Sequence, residues 1–168
     1  MSMSECRIIT ADYRNPDHAA AIIYLLDRYA RDPMGGGRPL PPQVLDNLIP
    51  ELAQRPYAFS LLAYISDETG DKAVGLLNGF EGFSTFACKP LLNIHDVTVL
   101  PEHRGHGIAQ QLLAATEALA RDRGCCKLTL EVLSENTSAR AAYRRFGFEA
   151  YSLDSDTGEA GFWQKLLK

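Results

Sequence analysis

The sequence predicts an α/β fold: a single mixed β-sheet flanked by helices. Three observations carry that expectation. Strand-like and helix-periodic segments alternate along the 168 residues in the order β-α-α-β-β-β-α-β-α-β. One strand, "LLNIHDVTVL" (91–100), is apolar in both of its alternation sets, which marks it as central and covered on both faces. The same strand runs through Pro101 into a basic, glycine-bearing loop that opens onto a helix.

The elements follow in order. "CRIITADY" alternates as a short first strand ending near Asp12. Asn15-Pro16 opens a helix in which Ala19, Ile22, Ile23 and Leu26 recur at helical spacing. From Asp32 to Pro42, three glycines and four prolines exclude regular structure and make a loop. A second helix covers Gln43 to Gln54. "YAFSLLAYIS" reads as a strand with "DETGD" as its turn, and "AVGLLNGFEGFSTF" as a longer third strand. There Gly75, Gly79 and Gly82 mark bulges or close backbone approach. After Gly107, Ile108, Leu112, Ala115 and Leu119 form one core-facing helical stripe that ends near Gly124. "CCKLTLEVL" (125–133) is a fifth strand, a helix from about Asn136 is stopped by Gly147, and the tail "AGFWQKLL" is a last strand. With no linker, repeat or low-complexity segment, residues 1–168 are expected to form one domain.

Composition narrows the partners. A net charge of -4 argues against a nucleic-acid partner. No apolar run approaches the roughly 20 residues of a membrane span, and "MSMSECRIIT" lacks an apolar signal core. The four cysteines show no zinc-ligand spacing, and adjacent Cys125 and Cys126 are poorly placed for a mutual disulfide. They read as reduced, mostly buried thiols of a cytoplasmic protein, and no metal site is expected.

The loop "RGHGIA" (104–109) carries the first chemistry. A helix N-terminus leaves backbone N–H groups unpaired and carries about half a positive charge. Glycines before it let those groups curl around a phosphate or pyrophosphate. The alternative is a plain strand-to-helix turn. No Lys-Ser/Thr follows the last glycine, and the G-x-G-x-x-G spacing is absent, so neither a Walker loop nor a dinucleotide fingerprint fits.

These residues carry a resemblance. "RGHGIA" resembles the R/Q-x-x-G-x-G/A signature of the GCN5-related N-acetyltransferase (GNAT) family, with Arg104, Gly107 and Ala109 at the defined positions. "ENTSARAAYRRFGFE" resembles the family's N-x-x-A-x-x-x-Y-x-x-x-G-F motif through Asn136, Ala139, Tyr143, Gly147 and Phe148. "GFSTFACKPLLNIHDVTV" further resembles the diamine (spermidine/spermine) and thialysine branch. The resemblance implies the GNAT fold, with fourth and fifth strands splayed apart. It implies acetyl-CoA as cosubstrate, with the pyrophosphate on Arg104, Gly105, His106, Gly107, Ile108 and Ala109. The pantetheine arm would pair with Val97, Thr98 and Val99, and Asn136 would lie near it. A homodimer is implied by the diamine branch.

Acetyl transfer to an amine requires a neutral nucleophile, and for a lysine-like amine at pH 7 that costs about 4.6 kcal/mol. It also requires an oxyanion donor and a proton for the departing sulfur. By resemblance the Val97 N–H is the oxyanion donor and Tyr143 the proton donor, the alternative for Tyr143 being a core tyrosine with a wet hydroxyl. His95 and Asp96 are neighbours on one strand, so a single side of the sheet receives both only if a bulge intervenes. His95 has the intrinsic pKa of a general base near neutrality. Related branch sequences often read Glu-Asp here, so the base stays open between His95, Asp96 and a water chain. Asp96 is otherwise an ammonium-binding or site-shaping residue. Glu81, on the third strand, is a candidate for the acceptor site, against a plain exposed carboxylate.

The expected function is acetyl transfer to a small-molecule primary amine, a polyamine or basic amino acid. Acetylation of a protein lysine or N-terminus, and a non-catalytic acetyl-CoA sensor, are the alternatives.

Overall fold

The computed structural model describes residues 6–68, 70–152 and 158–167. The chain divides into two compact units, residues 1–130 and 131–168.

In the first unit β1 (Cys6–Thr10), β2 (Ala58–Asp67), β3 (Gly70–Ser84), β4 (Lys89–Val99) and β5 (Leu128–Leu130) form one sheet in chain order. Neighbours are antiparallel except β4 and β5. A parallel pair needs a crossover, and α3 (Ile108–Asp122) lies in the connection between them. The sheet is therefore mixed, as the sequence predicts.

Helix α1 (Pro16–Ala30) starts where the Asn15 side chain accepts from the Asp17 and His18 N–H groups. Helix α2 (Pro42–Ala53) begins one residue before the expected Gln43, because the fixed φ of Pro42 suits a first helical position. The two faces of the sheet are told apart by β3. A Cβ on Gly75 would meet Ile108 and Leu112, so Gly75, Leu77 and Gly79 face α3. Leu76, Asn78 and Phe80 face the other way, toward α1. Leu25 and Leu62, Leu76 and Leu77, Leu92 and Leu112 are fully buried. Each such side chain contributes about 2 kcal/mol of burial free energy.

Several sequence expectations need correction. The fifth strand is Leu128–Leu130 rather than 125–133. Its start is delayed because the Cys125 N–H closes α3 on the Ala120 carbonyl. No strand forms over the tail 160–167, where only a bridge between Ser152 and Glu159 precedes it. The proline-glycine loop contains one 3-10 turn, Pro33–Gly35, capped by the Asp32 carboxylate on the Met34 N–H. All four cysteines are free, but none is buried: Cys88 and Cys126 are exposed, Cys6 and Cys125 half-buried. Cys88 lies in the β3–β4 turn, and Cys126 just before β5.

In the second unit α4 (Thr137–Phe146) is capped as expected. The Asn136 side chain accepts from the Ala139 N–H, and Gly147, at φ 107°, ends the helix in the left-handed region.

Gly79 marks the tightest approach in the sheet. A Cβ there would sit 2.7 Å from Phe59 Cε1 and 2.8 Å from the Asn93 carbonyl oxygen. Gly79→Ala is expected to lower the unfolding free energy by about 1–3 kcal/mol in urea titration. A change within experimental error would show that Phe59 can yield.

Candidate active site

The site begins with a miscount between two strands. On β3 Asn78 opposes Asp96 and Gly79 opposes Ile94, which leaves His95 with no partner residue. This is a β-bulge, and it resets the alternation of β4. Phe80 shares the α1-side face with Asn78. Its ring meets that of His95 edge-on, with centroids 4.7 Å apart. Asp96 accepts a hydrogen bond from Asn78 Nδ2 at 3.0 Å. His95 and Asp96 therefore lie on one face, the outcome the sequence allowed only through a bulge. His95 is exposed and Asp96 half-buried. Burial holds the Asp96 carboxyl above its ordinary pKa, against the opposing pull of the Asn78 hydrogen bond and of His95.

The same strand then loses a neighbour. The β4–β5 ladder spans only Leu92–Ile94 against Leu128–Leu130, while β4 continues to Val99 paired with β3 alone. The two strands part as expected, and among the described residues the β4 edge beyond Ile94 has no ladder partner through Val97, Thr98 and Val99.

Beyond Val99 the chain makes a 3-10 turn, Pro101–His103, and then the glycine loop. Gly105 and Gly107 hold φ of 82° and 77°, the region that disfavours a side chain, with no atom within 4 Å of either Cβ position. Gly107 is the N-cap of α3 and offers no side-chain cap to the first turn. Buried Ile108 anchors that turn, and Ala109 follows it half-buried. His106 is exposed, with Nδ1 3.3 Å from the His103 carbonyl oxygen. Arg104 Nε donates to the Val99 carbonyl, and Nη2 donates to Asp32 Oδ2, both at 3.0 Å. The Met34 N–H and then Arg104 hold Asp32 below the ordinary carboxylate pKa. Arg28, Arg31, Asp32, Arg104 and the end of β4 with Leu100 and Pro101 line an open cleft of about 250 Å³.

Glu81 occupies a β3 position of the α3 face, opposite His95 and Asp96, and pairs with Arg123 at 3.1 Å. Tyr143 and Asn136 belong to the second unit. There Tyr143 is half-buried on α4, its ring edge-on to Phe148 with centroids 5.9 Å apart.

Comparison with known proteins defines the class. The model of the acetyltransferase (GNAT) family matches residues 11–148, and the chain belongs to that family. It is similar to streptothricin acetyltransferase of Streptomyces lavendulae, 45% identical over 49% of this chain and 44% of that protein. It is also similar to thialysine N-epsilon-acetyltransferase of Bos taurus, 29% identical over 66% of this chain and 63% of that one. Each match spans less than two thirds of the relative's own length. Among solved structures, AAC(6')-Iy in complex with the bisubstrate analogue CoA-S-monomethyl-acetylneamine has the same fold. Its TM-score is 0.71 at 23% identity, covering 98% of this chain and 100% of that chain.

Sequence reasoning passed over Asn78, Ser60 and Asp32. The first two had a readable signal: a polar residue inside the apolar runs "VGLLNGF" and "AFSLLA" needs a partner when buried. Asp32 had none, since its partner Arg104 is 72 residues away.

Asp32→Asn keeps the cap on Met34 and removes the charge beside Arg104. If a CoA phosphate meets that guanidinium, it then competes with no carboxylate. Calorimetry is expected to find CoA binding tightened several-fold in Asp32→Asn and weakened about tenfold in Arg104→Ala, the worth of one charge-assisted hydrogen bond. Equal binding by all three proteins would remove Arg104 from the phosphate site.

Proposed function

We propose that the chain is an acetyl-CoA-dependent N-acetyltransferase acting on a primary amine of a small molecule that carries several amines. The observation that carries this reading is the bulge at His95. It sets an imidazole and a carboxylate side by side on the strand whose edge falls open at that point.

The residues present fit acetyl-CoA. An amide-bearing arm can pair with the open edge at Val97–Val99 as another strand would. A pyrophosphate can take the uncapped N–H groups behind Gly107, with Arg104 beside them. When bound, the thioester supplies an acyl carbon with a leaving group. The amine nitrogen bonds to that carbon, the C–S bond breaks, and an amide, CoA thiol and one proton result. His95 or Asp96 takes the ammonium proton, directly or through water, and Asp96 draws the cation in. The Val97 N–H stabilises the oxyanion, and Tyr143 protonates the sulfur. Tyr143 and Asn136 enter through their motif positions and through a family match that runs to residue 148. That match also supports one acetyltransferase domain spanning both units.

Streptothricin and thialysine, named in the two relatives, support a polycationic or lysine-like acceptor, with the diamine branch one form of it. Four free thiols suit a reducing cytoplasm. The homodimer expected from that branch is part of the same proposal.

The test is CoA release against diamines, polyamines, lysine analogues, aminoglycosides, streptothricin and basic peptides, with Tyr143→Phe in parallel. Turnover is expected on one class of small amine, with kcat falling at least about tenfold in Tyr143→Phe. Turnover of peptides alone would move the reading to a protein acetyltransferase. Binding of acetyl-CoA with no turnover would move it to a sensor.

A further inference from the structure

A row of polar side chains crosses the sheet beneath α1. Ser60, Asn78 and Asp96 oppose one another on β2, β3 and β4. Tyr13, between β1 and α1, closes the row at its far end. Ser60 and Asn78 are 1% and 5% exposed, within the otherwise apolar stretches "AFSLLA" and "VGLLNGF".

Counting protons fixes the direction of every bond. Asn78 Oδ1 can only accept, so the single hydroxyl proton of Ser60, 2.7 Å away, is given to it. Ser60 Oγ is then left to accept from the Tyr13 hydroxyl at 3.0 Å. Burial keeps Tyr13 above the ordinary phenol pKa, so that hydroxyl retains its proton. With Oδ1 engaged, the Asn78 amide must turn its NH2 end to Asp96 Oδ2. The donors thus run Tyr13, Ser60, Asn78, all aimed at one carboxylate.

We propose that Ser60 and Asn78 are positioning residues that hold Asp96 ionised and aimed at the acceptor amine. The proposal rests on the acetyl-transfer reading. The row is not a proton relay, because an amide does not pass a proton on. Its effect is fixed polarity. Three groups bear on Asp96: Asn78 from β3, His95 from its own strand, and Tyr29 from α1, itself within reach of Asp32. Tyr29 and Asp32 do not help the anion. Asn78 and His95 do, and Asn78 does so through a neutral amide in a fixed hydrogen bond.

Asn78→Leu keeps the volume and removes both functions of the amide. The Asp96 carboxyl can be followed in the full chain by carbon-13 NMR, identified by the signal missing from Asp96→Asn. Its titration is expected to move up by about one pH unit or more. The acid limb of kcat/KM for CoA release is expected to move with it, with KM for acetyl-CoA unchanged. Ser60→Ala should shift both the same way by less, and Ser60→Thr, which keeps a hydroxyl, should restore them. An unmoved Asp96 titration in folded Asn78→Leu overturns the proposal. So does a moved titration with an unmoved acid limb. If Asn78→Leu does not fold, Ser60→Ala decides by the same two readouts. A wild-type chain that acetylates no amine defeats the acetyl-transfer reading instead, and the NMR arm still judges whether the row sets the charge of Asp96.

Discussion

Backbone pairing along β4 is the constraint on which the site depends. A strand inside a sheet must satisfy N–H and C=O groups on both edges. β4 does so against β3 along its length, but against β5 only from Leu92 to Ile94. Past that point one edge still has hydrogen-bonding capacity and, among the described residues, no strand to meet it. At Val99 the Arg104 guanidinium takes the carbonyl, which also ties the glycine loop to the end of the strand. The sheet thus offers its unsatisfied edge next to a helix start that is also uncapped.

The bulge falls where the pairing changes. Bulges end ladders and re-aim side chains, and this one does both within three residues. Ile94 closes the β5 ladder and stays 2% exposed in the core. His95 takes the α1 side that alternation from Ile94 gives it, and the extra residue brings Asp96 onto the same side. Gly79 stands opposite, where Phe59 and the Asn93 carbonyl leave no room for a Cβ. The site is therefore built from a packing constraint on β3 as much as from the polar residues of β4.

The sequence carried the fold well where the signals were local. Helix starts at Asn15 and Asn136 and the stop at Gly147 all come from short-range chemistry. The loop motif named the family before any contact was known. Two strands were misjudged because apolar alternation says nothing about partners. "CCKLTLEVL" alternates through Leu133, yet the ladder ends at Leu130. "AGFWQKLL" is apolar enough for a strand but gains none. In the site, His95 and Asp96 could be nominated from the sequence, but their shared face depends on the β3–β4 register. Glu81 was read as an acceptor-site candidate with no way to see that Arg123 lies beside it. The Ser60–Asn78 row was hidden for the same reason, since its members are neighbours only across strands.

One consequence of the bulge concerns how this chain can vary. The sharing of the α1 side by two consecutive residues depends on how many residues separate Ile94 from Val97, and less on what they are. Exchanging His95 for another polar residue leaves the strand count intact. Deleting His95 would restore strict alternation and leave Asp96 opposite Asn78, with one residue on the α1 side where there are now two. An inserted residue would change that count as well. The region should therefore tolerate a change of chemistry far better than a change of length.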